Sequence, residues 1–166
     1  MPSSAFETIS ASRSSTRVGP SRLFRGVSIA EAITWSLLLV GMFLKYVTNT
    51  TDVGVRIFGT LHGAVFLAYG VTTVLVWIDQ RWSWRRGLVA LACAVPPFAT
   101  LIFDRWVERH SILGDSWRLR STEPRGLIEG LAAWAVRHPV AGGLLALVLV
   151  AALFSVALLL GPPVGG

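Results

Sequence analysis

The sequence has little charge and a single cysteine. Of its 166 residues, 15 are Lys or Arg, 9 are Asp or Glu, and charged residues make up 14%, against about a quarter in soluble domains. A lone cysteine, Cys93, allows no intrachain disulfide and no cysteine-based zinc cluster. With 53% hydrophobic residues gathered in long runs, these scarcities exclude an ordinary soluble enzyme, a disulfide scaffold, a disordered chain and a coiled coil.

In place of charge, the sequence has four long apolar blocks, which predict an all-α membrane protein with a bundle of four transmembrane helices. The blocks are residues 27–47, 57–78, 87–103 and 140–160. Each block is long enough to cross a hydrocarbon core about 30 Å thick. Because the backbone must satisfy its own hydrogen bonds inside lipid, each block is predicted to be helical.

The remaining segments are predicted to be tails and connections. Residues 1–22 are rich in Ser and Arg and predict a disordered tail, and residues 161–166 form a short tail. Residues 109–139 predict a loop with an amphipathic helix in the membrane interface. The apolar stripe of that helix recurs at helical spacing and consists of Leu127, Ile128, Leu131, Trp134 and Ala135.

The distribution of Lys and Arg bears on orientation. Four antiparallel spans place seven basic residues on the side of the N-terminal tail and eight on the other side. The basic residues before the first span and in the short 79–86 connection favour a cytoplasmic N-terminus, and an even number of spans then predicts a cytoplasmic C-terminus. A near tie is also typical of an antiparallel dual-topology dimer, so that alternative stays open.

Five ionisable residues inside or beside the spans are candidate functional groups, because a charge at mid-membrane costs roughly 2.5–3.5 kcal/mol. Depth counted in residues places Glu31 and His62 roughly 16 Å apart, too far to share a proton. Asp104, Lys45 and Arg56 are predicted to join His62 in an outer polar cluster.

Each of these groups has a structural alternative. Glu31 is predicted to be either a proton or cation site or one half of an ion pair with an arginine of the same side. The outer cluster is either a functional site with an imidazole that titrates near pH 7 or a Lys45–Asp104 ion pair. In the second case, His62 is hydrogen-bonded to a neighbouring backbone carbonyl.

Small residues and prolines predict how the helices pack. Gly59 and Gly63, continued by Gly70, allow close approach of another helix. That helix belongs either to this chain or to a second copy. Pro96 and Pro97 remove two backbone donors and predict a kink in the third span.

No constellation for catalysis or cofactor binding is present. The three histidines lie in different predicted elements, and neither a phosphate-binding glycine loop nor a nucleophile motif occurs. No cofactor and no metal are therefore expected. Nucleic-acid binding is not expected either, because nearly all basic residues flank the apolar blocks, where they set orientation and contact lipid headgroups.

Five short motifs in order resemble domain-of-unknown-function family 3817. The resemblance covers about residues 23–108, and it implies a small three-span protein of the bacterial cell membrane with no known activity. This sequence departs from the family pattern at three positions. Where the family has Gly, Pro and Gly, it has Ala32, Phe43 and Ala99. The fourth span is then an addition to the family core. The motifs are Glu31-Ala32-Ile33-Thr34, Gly41-Met42-Phe43-Leu44-Lys45-Tyr46, Gly59-Thr60-Leu61-His62-Gly63, Phe66-Leu67-Ala68-Tyr69, and Pro97-Phe98-Ala99 followed by Asp104.

Two functions are compatible with this pattern. The first is a non-enzymatic accessory or docking subunit of a membrane complex, or a lipid-interacting protein, with the bilayer and another membrane protein or a second copy as partners. The alternative is a dimeric proton-coupled small-molecule transporter, since an acid in the first of four spans resembles small multidrug exporters in outline.

Overall fold

The computed structural model describes residues 18–160, and all regular elements in that range are helical. Three of them (α1, α2 and α6) are long and apolar enough to cross a membrane. The predicted all-α membrane protein is confirmed. The predicted tails at 1–17 and 161–166 lie outside the described residues, whereas residues 20–22 belong to the first helix. The elements are α1 Pro20–Tyr46, α2 Val53–Asp79, α3 Trp84–Ala92, α4 Ala99–Arg109, a 3-10 helix Arg118–Arg120, α5 Gly126–Arg137 and α6 Pro139–Leu160.

Helices α1 and α2 form an antiparallel pair joined by residues 47–52. Gly41 and Gly54 bring the two backbones together, since a Cβ atom on Gly41 would lie 2.8 Å from the carbonyl carbon of Gly54. Small residues permit such close approach in lipid. We call the end of the pair at residues 47–52 the turn end. The other end, where α1 begins at Pro20 and α2 finishes at Asp79, is the basic end.

The predicted packing glycines of α2 face different surroundings. A Cβ on Gly59 would contact Leu38 of α1 at 3.7 Å, and one on Gly63 would lie 3.1 Å from the ring of Phe154 in α6. Gly70 faces open space. Two of the three glycines therefore pack against other helices of this chain, Gly59 against α1 and Gly63 against α6.

The third apolar block differs from the predicted single kinked helix. It forms two short helices, α3 and α4, separated by residues 93–98. Pro96 and Pro97 lack backbone N–H groups, and Phe98 has a left-handed φ of 65°, so the chain reverses instead of continuing. The two helices are roughly 14 and 17 Å long, too short to cross a core about 30 Å thick.

Helix α3 runs from the basic end into the bundle alongside α2. Near the basic end, the ring of Trp77 packs directly against Gly87, where any side chain would overlap the indole. Further in, the hydroxyl of Tyr69 donates a 2.9 Å hydrogen bond to the carbonyl of Ala90.

Helix α4 runs back to the basic end alongside α1. Its first turn meets the middle of α1, where Thr100 contacts Glu31, and its last turn meets the start of α1, where Glu108 pairs with Arg25. Residues 84–109 thus form a re-entrant hairpin that enters and leaves at the same end. Ala94 is buried where the chain turns, whereas residues 95–98 are exposed.

Helix α6 runs alongside α2 in the opposite direction. Ala146 and Thr72 line one small cavity between the two helices, and Phe154 reaches Gly63 nearer the turn end. Leu160 therefore lies at the turn end, opposite the start of α1. A topology with four spans predicts that both ends of the chain lie on the same side of the membrane. In the structure, Pro20 and Leu160 lie at opposite ends of the bundle, because the hairpin does not cross it.

Helix α5 packs on the basic end with the face opposite to its predicted stripe. Ala132, Ala133 and Val136 are buried and pack near Leu75 and Ile78 of α2. The leucines and tryptophan of the predicted stripe point away from the protein. Their exposed fractions run from 43% to 88% for Trp134, Ile128, Leu131 and Leu127.

Candidate functional site

Glu31 is a fully buried carboxyl between α1 and the hairpin. Its Oε2 accepts a 2.7 Å hydrogen bond from the Oγ1 of Thr100. Its Oε1 has no hydrogen-bond partner among the described residues. A buried carboxylate with an unpaired oxygen is costly, so Glu31 is the polar group in the bundle that most needs an explanation.

The local sequence explains why this contact forms where it does. Thr100 lies in the first turn of α4, immediately after the proline break, so the reversal of the chain presents its hydroxyl to α1. One turn before Glu31, Ser28 is also buried, and its hydroxyl donates to the carbonyl of Phe24 in its own helix at 2.9 Å. The tip of the hairpin therefore docks on a small polar face of α1.

His62 lies beside Glu31 and not in a separate layer. Its Nδ1 is 3.1 Å from the Oγ1 of Thr34, and that hydroxyl donates to the carbonyl of Glu31 at 2.9 Å. The imidazole also packs on the ring of Trp35, with a centroid distance of 4.5 Å. We call Glu31, Thr34, His62 and Thr100 the Glu31 cluster.

The predicted separation of roughly 16 Å between Glu31 and His62 is therefore wrong. It took the edges of the apolar blocks as the ends of the helices, whereas α1 ends at Tyr46 and α2 begins at Val53. Counted from the contact between Gly41 and Gly54, Glu31 and His62 differ in depth by only about 3 Å, and Thr34 lies between the backbone of Glu31 and the imidazole.

The hydroxyl of Thr34 has one proton and two neighbouring acceptors, the Glu31 carbonyl at 2.9 Å and His62 Nδ1 at 3.1 Å. When the proton goes to the carbonyl, Nδ1 is the donor and Nε2 is unprotonated; when it goes to Nδ1, Nε2 carries the ring proton. In either tautomer, a neutral imidazole keeps one nitrogen without a proton. The Glu31 cluster thus contains one carboxylate oxygen and one imidazole nitrogen available to a proton.

Asp104 lies at the basic end and not with His62. It lines a cavity of about 510 Å³ that also contains Arg25, Glu108 and Ser21. Arg25 pairs with Glu108 across this cavity, with an N–O distance of 2.9 Å. Asp104 is one helical turn beyond Thr100, so acidic and hydroxyl groups follow one another from the cavity to the Glu31 cluster.

The predicted outer cluster does not assemble. Lys45 lies in the last turn of α1 and Arg56 in the first turn of α2, so both lie at the turn end, where the Lys45 ammonium is 5.1 Å from the ring of Tyr46. The prediction that Asp104 lies at that end is wrong, because it requires the third apolar block to cross the membrane. The hairpin returns it to the basic end and excludes a Lys45–Asp104 ion pair.

A polar network at the basic end escaped sequence reasoning. The buried carboxylate of Asp79 accepts hydrogen bonds from the backbone N–H groups of Arg118 (3.1 Å) and Leu119 (2.9 Å). Glu129 accepts from the side chains of Arg118 and Arg81 at 3.0 and 3.1 Å. The only sequence signal is that Asp79 closes an apolar block, which gives no indication of a partner 40 residues away.

This network holds α5 to the end of α2 and strongly lowers the pKa of Glu129. The backbone N–H of Arg125 and the side chain of Arg81 stabilise the Glu129 carboxylate and lower its pKa from 4.5 to about 2. Within residues 18–160, no set of three or more His, Cys, Asp or Glu side chains is placed to hold a metal ion.

Comparison with known proteins identifies the part of the chain that carries the Glu31 cluster. The model of the family described as Domain of unknown function (DUF3817) matches residues 21–109. A "putative membrane protein" of Streptomyces coelicolor is 53% identical over 95 residues, which are 55% of this chain and 11% of that relative. The chain therefore covers about a ninth of the length of that relative. No solved structure matches.

Proposed function

Because this chain belongs to the DUF3817 family, we propose that it is a non-enzymatic accessory subunit that docks onto a larger membrane protein inside the bilayer. The observation that carries this proposal is the Streptomyces relative, in which the matched 95 residues are 11% of a membrane protein. A module that is joined covalently to a larger membrane chain in one protein is suited to pack beside such a chain in another.

The surface that supports docking is α6. No residue in its most apolar stretch is buried, and its mean hydropathy of 2.9 is the highest of the three spans. It contacts α2 along one side only, so a broad apolar face remains open to lipid or to another helix. Leu144 and Val148 are exposed on that face.

Site-specific photocrosslinking in intact membranes tests this proposal. A photoreactive residue at Leu144 or Val148, both exposed on α6, is expected to give an adduct with a larger membrane protein. The matched control is Phe154, whose ring packs on Gly63 within the chain, and the same residue there should give no such adduct. Recovery of an uncrosslinked monomer at the exposed positions would overturn the proposal.

We further propose that the basic end faces the cytoplasm of a bacterial cell. Lys45 and Arg56 are the basic residues at the turn end. In the same described range, eleven arginines lie at the basic end, and positive charge favours the cytoplasmic side. An N-terminal tag should then be protected and a C-terminal tag accessible from outside. These arginines are Arg22, Arg25, Arg81, Arg85, Arg86, Arg105, Arg109, Arg118, Arg120, Arg125 and Arg137.

The same end supports an interaction with the lipid surface and not with nucleic acid. The exposed apolar stripe of α5 lies beside these arginines, which is the composition of a helix resting in an anionic interface. Binding to vesicles that falls with salt, and no retention of duplex DNA or RNA at the same ionic strength, is the expected pair of results.

The Glu31 cluster favours a second candidate, a proton-coupled transporter assembled from two copies. A buried carboxyl whose Oε1 has no hydrogen-bond partner among the described residues is a chemically competent proton acceptor. The imidazole of His62 lies nearby and contacts Thr34, whose hydroxyl reaches the backbone carbonyl of Glu31. Glu31→Gln should then abolish proton-coupled uptake while leaving membrane insertion intact. Unchanged uptake, or crosslinks only to a larger partner, would eliminate this candidate.

A further inference from the structure

The two arms of the hairpin enclose a groove on the surface that faces lipid. Its volume is about 570 Å³. Its walls are Val89 on α3, Cys93 directly after α3, and Ile102, Phe103 and Trp106 on α4. The groove runs from the hairpin tip toward the basic end. Its walls are apolar, so its occupant inside a membrane must be an apolar chain.

The mouth of the groove has the opposite chemistry. Arg85 and Arg86 line it together with Ser83, at the start of α3. Neither arginine belongs to any of the three ion pairs formed among residues 18–160, and the guanidinium of Arg85 lies 5.5 Å from the ring of Trp84. The positive end of the α3 helix dipole adds to the charge at this point.

We propose that this groove is a binding site for one anionic phospholipid, with an acyl chain between the arms and the phosphate at Arg85 and Arg86. Charge complementarity selects the anionic headgroup, because two guanidinium groups that form no ion pair within residues 18–160 lie at the level of the headgroups. The length of the groove suits an acyl chain, because α3 extends roughly 14 Å, close to half of a hydrocarbon core about 30 Å thick. The groove is therefore about as long as one leaflet is thick.

This site refines the proposed accessory role by naming a lipid, but it requires neither a partner protein nor a particular orientation in the cell. It can therefore be tested on the purified chain alone. A negative result for lipid binding would not change the crosslinking result at α6. A negative crosslinking result would not argue against the lipid site.

Cys93 supplies a natural reporter, since it is the single cysteine and lines the groove. The full chain is reconstituted in nanodiscs of phosphatidylcholine alone or with added phosphatidylglycerol of the same acyl chains. Bound phosphatidylglycerol should slow alkylation of Cys93 by a maleimide and raise the thermal midpoint in a saturable way. Equal rates and midpoints in the two lipids would overturn the proposal.

Two matched pairs of variants separate the groove from general electrostatics. The Arg85→Gln/Arg86→Gln double variant should weaken apparent phosphatidylglycerol affinity at least about tenfold, because each arginine near the headgroups is worth about a factor of five. The Arg105→Gln/Arg109→Gln control removes the same charge from exposed positions outside the groove. An equal loss in both double variants would reduce the effect to surface charge and refute a defined site.

The second pair tests the acyl-chain half of the site. Ile102→Trp fills the groove and should abolish the protection of Cys93, whereas Leu88→Trp adds the same bulk at an exposed position that does not line it. Loss of Cys93 protection in Ile102→Trp but not in Leu88→Trp supports the groove as the binding site. Protection that persists in Ile102→Trp would place the lipid elsewhere and overturn the assignment.

Discussion

Arg25 and Glu108 form an ion pair with an N–O distance of 2.9 Å, although 83 residues separate them in the chain. Arg25 belongs to the second turn of α1, and Glu108 belongs to the last turn of α4. Their contact brings the exit of the hairpin to the end of the bundle where α1 begins. The number of membrane crossings, and hence the side on which each later residue lies, depends on where the hairpin exits.

The first prediction concerns the two ends of the hairpin. In a Cys93→Ser background, Ser83→Cys and Ser111→Cys should both be labelled by an impermeant thiol reagent from the same face of the membrane, and Thr50→Cys from the opposite face. If residues 84–109 crossed the membrane, Ser83 and Ser111 would lie on opposite faces. Labelling of these two positions from opposite faces would therefore contradict the hairpin.

A second prediction concerns the hydrogen bond between Thr100 and Glu31. Thr100→Val keeps the branched shape but removes the partner of the buried carboxyl, so unfolding in mild detergent should become easier by about 1–3 kcal/mol. Thr60→Val is the control, because its hydroxyl is exposed and donates only to the carbonyl of Arg56 in its own helix. Equal stability of the two variants would show that the contact contributes nothing.

Close packing of α1 on α2 gives a third prediction. Gly41→Ala places a Cβ 2.8 Å from backbone atoms of Gly54, so the helices must separate and the thermal midpoint should fall. Gly70→Ala meets open space and gains about 0.5–1 kcal/mol of helix propensity. Its midpoint should therefore stay level or rise, and a fall as large as that of Gly41→Ala would argue against the close approach.

Acid stability provides a fourth prediction. The folded-state pKa of Glu129 is lowered from 4.5 to about 2, so the unfolded state binds its proton first. The stabilisation by this carboxylate is fully present above pH 4.5 and is lost as the pH falls toward 2. The thermal midpoint of the native chain should therefore exceed that of Glu129→Gln near neutral pH, and the gap should close between these two pH values.

A matched acid provides the control for this titration. Glu123→Gln removes an exposed carboxylate that takes part in none of the hydrogen bonds or ion pairs of the described residues, so its midpoint should follow that of the native chain throughout. A gap between the native chain and Glu129→Gln that widens on acidification would reverse the sign and rule out the network as its source.

Hydropathy and local motifs in the sequence were enough to establish the class of the protein and its family. Long apolar blocks require helices because lipid offers the backbone no hydrogen bonds, and the motifs around Glu31 and His62 already resembled the family that matches residues 21–109. The candidate residues Glu31, His62 and Asp104 were found because charge inside an apolar block is costly. Each of these inferences depends on composition within one segment.

Which of these residues meet was decided by tertiary structure. An apolar block at 87–103 has the same hydropathy whether it crosses the membrane or turns back at Pro96 and Pro97, so sequence alone placed Asp104 at the wrong end. The depth of His62 likewise depends on where α2 begins, and the first turn of α2, at residues 53–56, precedes the apolar block that starts at Ile57. Side chains from α1, α2 and α4 meet only because the hairpin stops halfway, and that reversal is held by long-range contacts such as Tyr69 to Ala90.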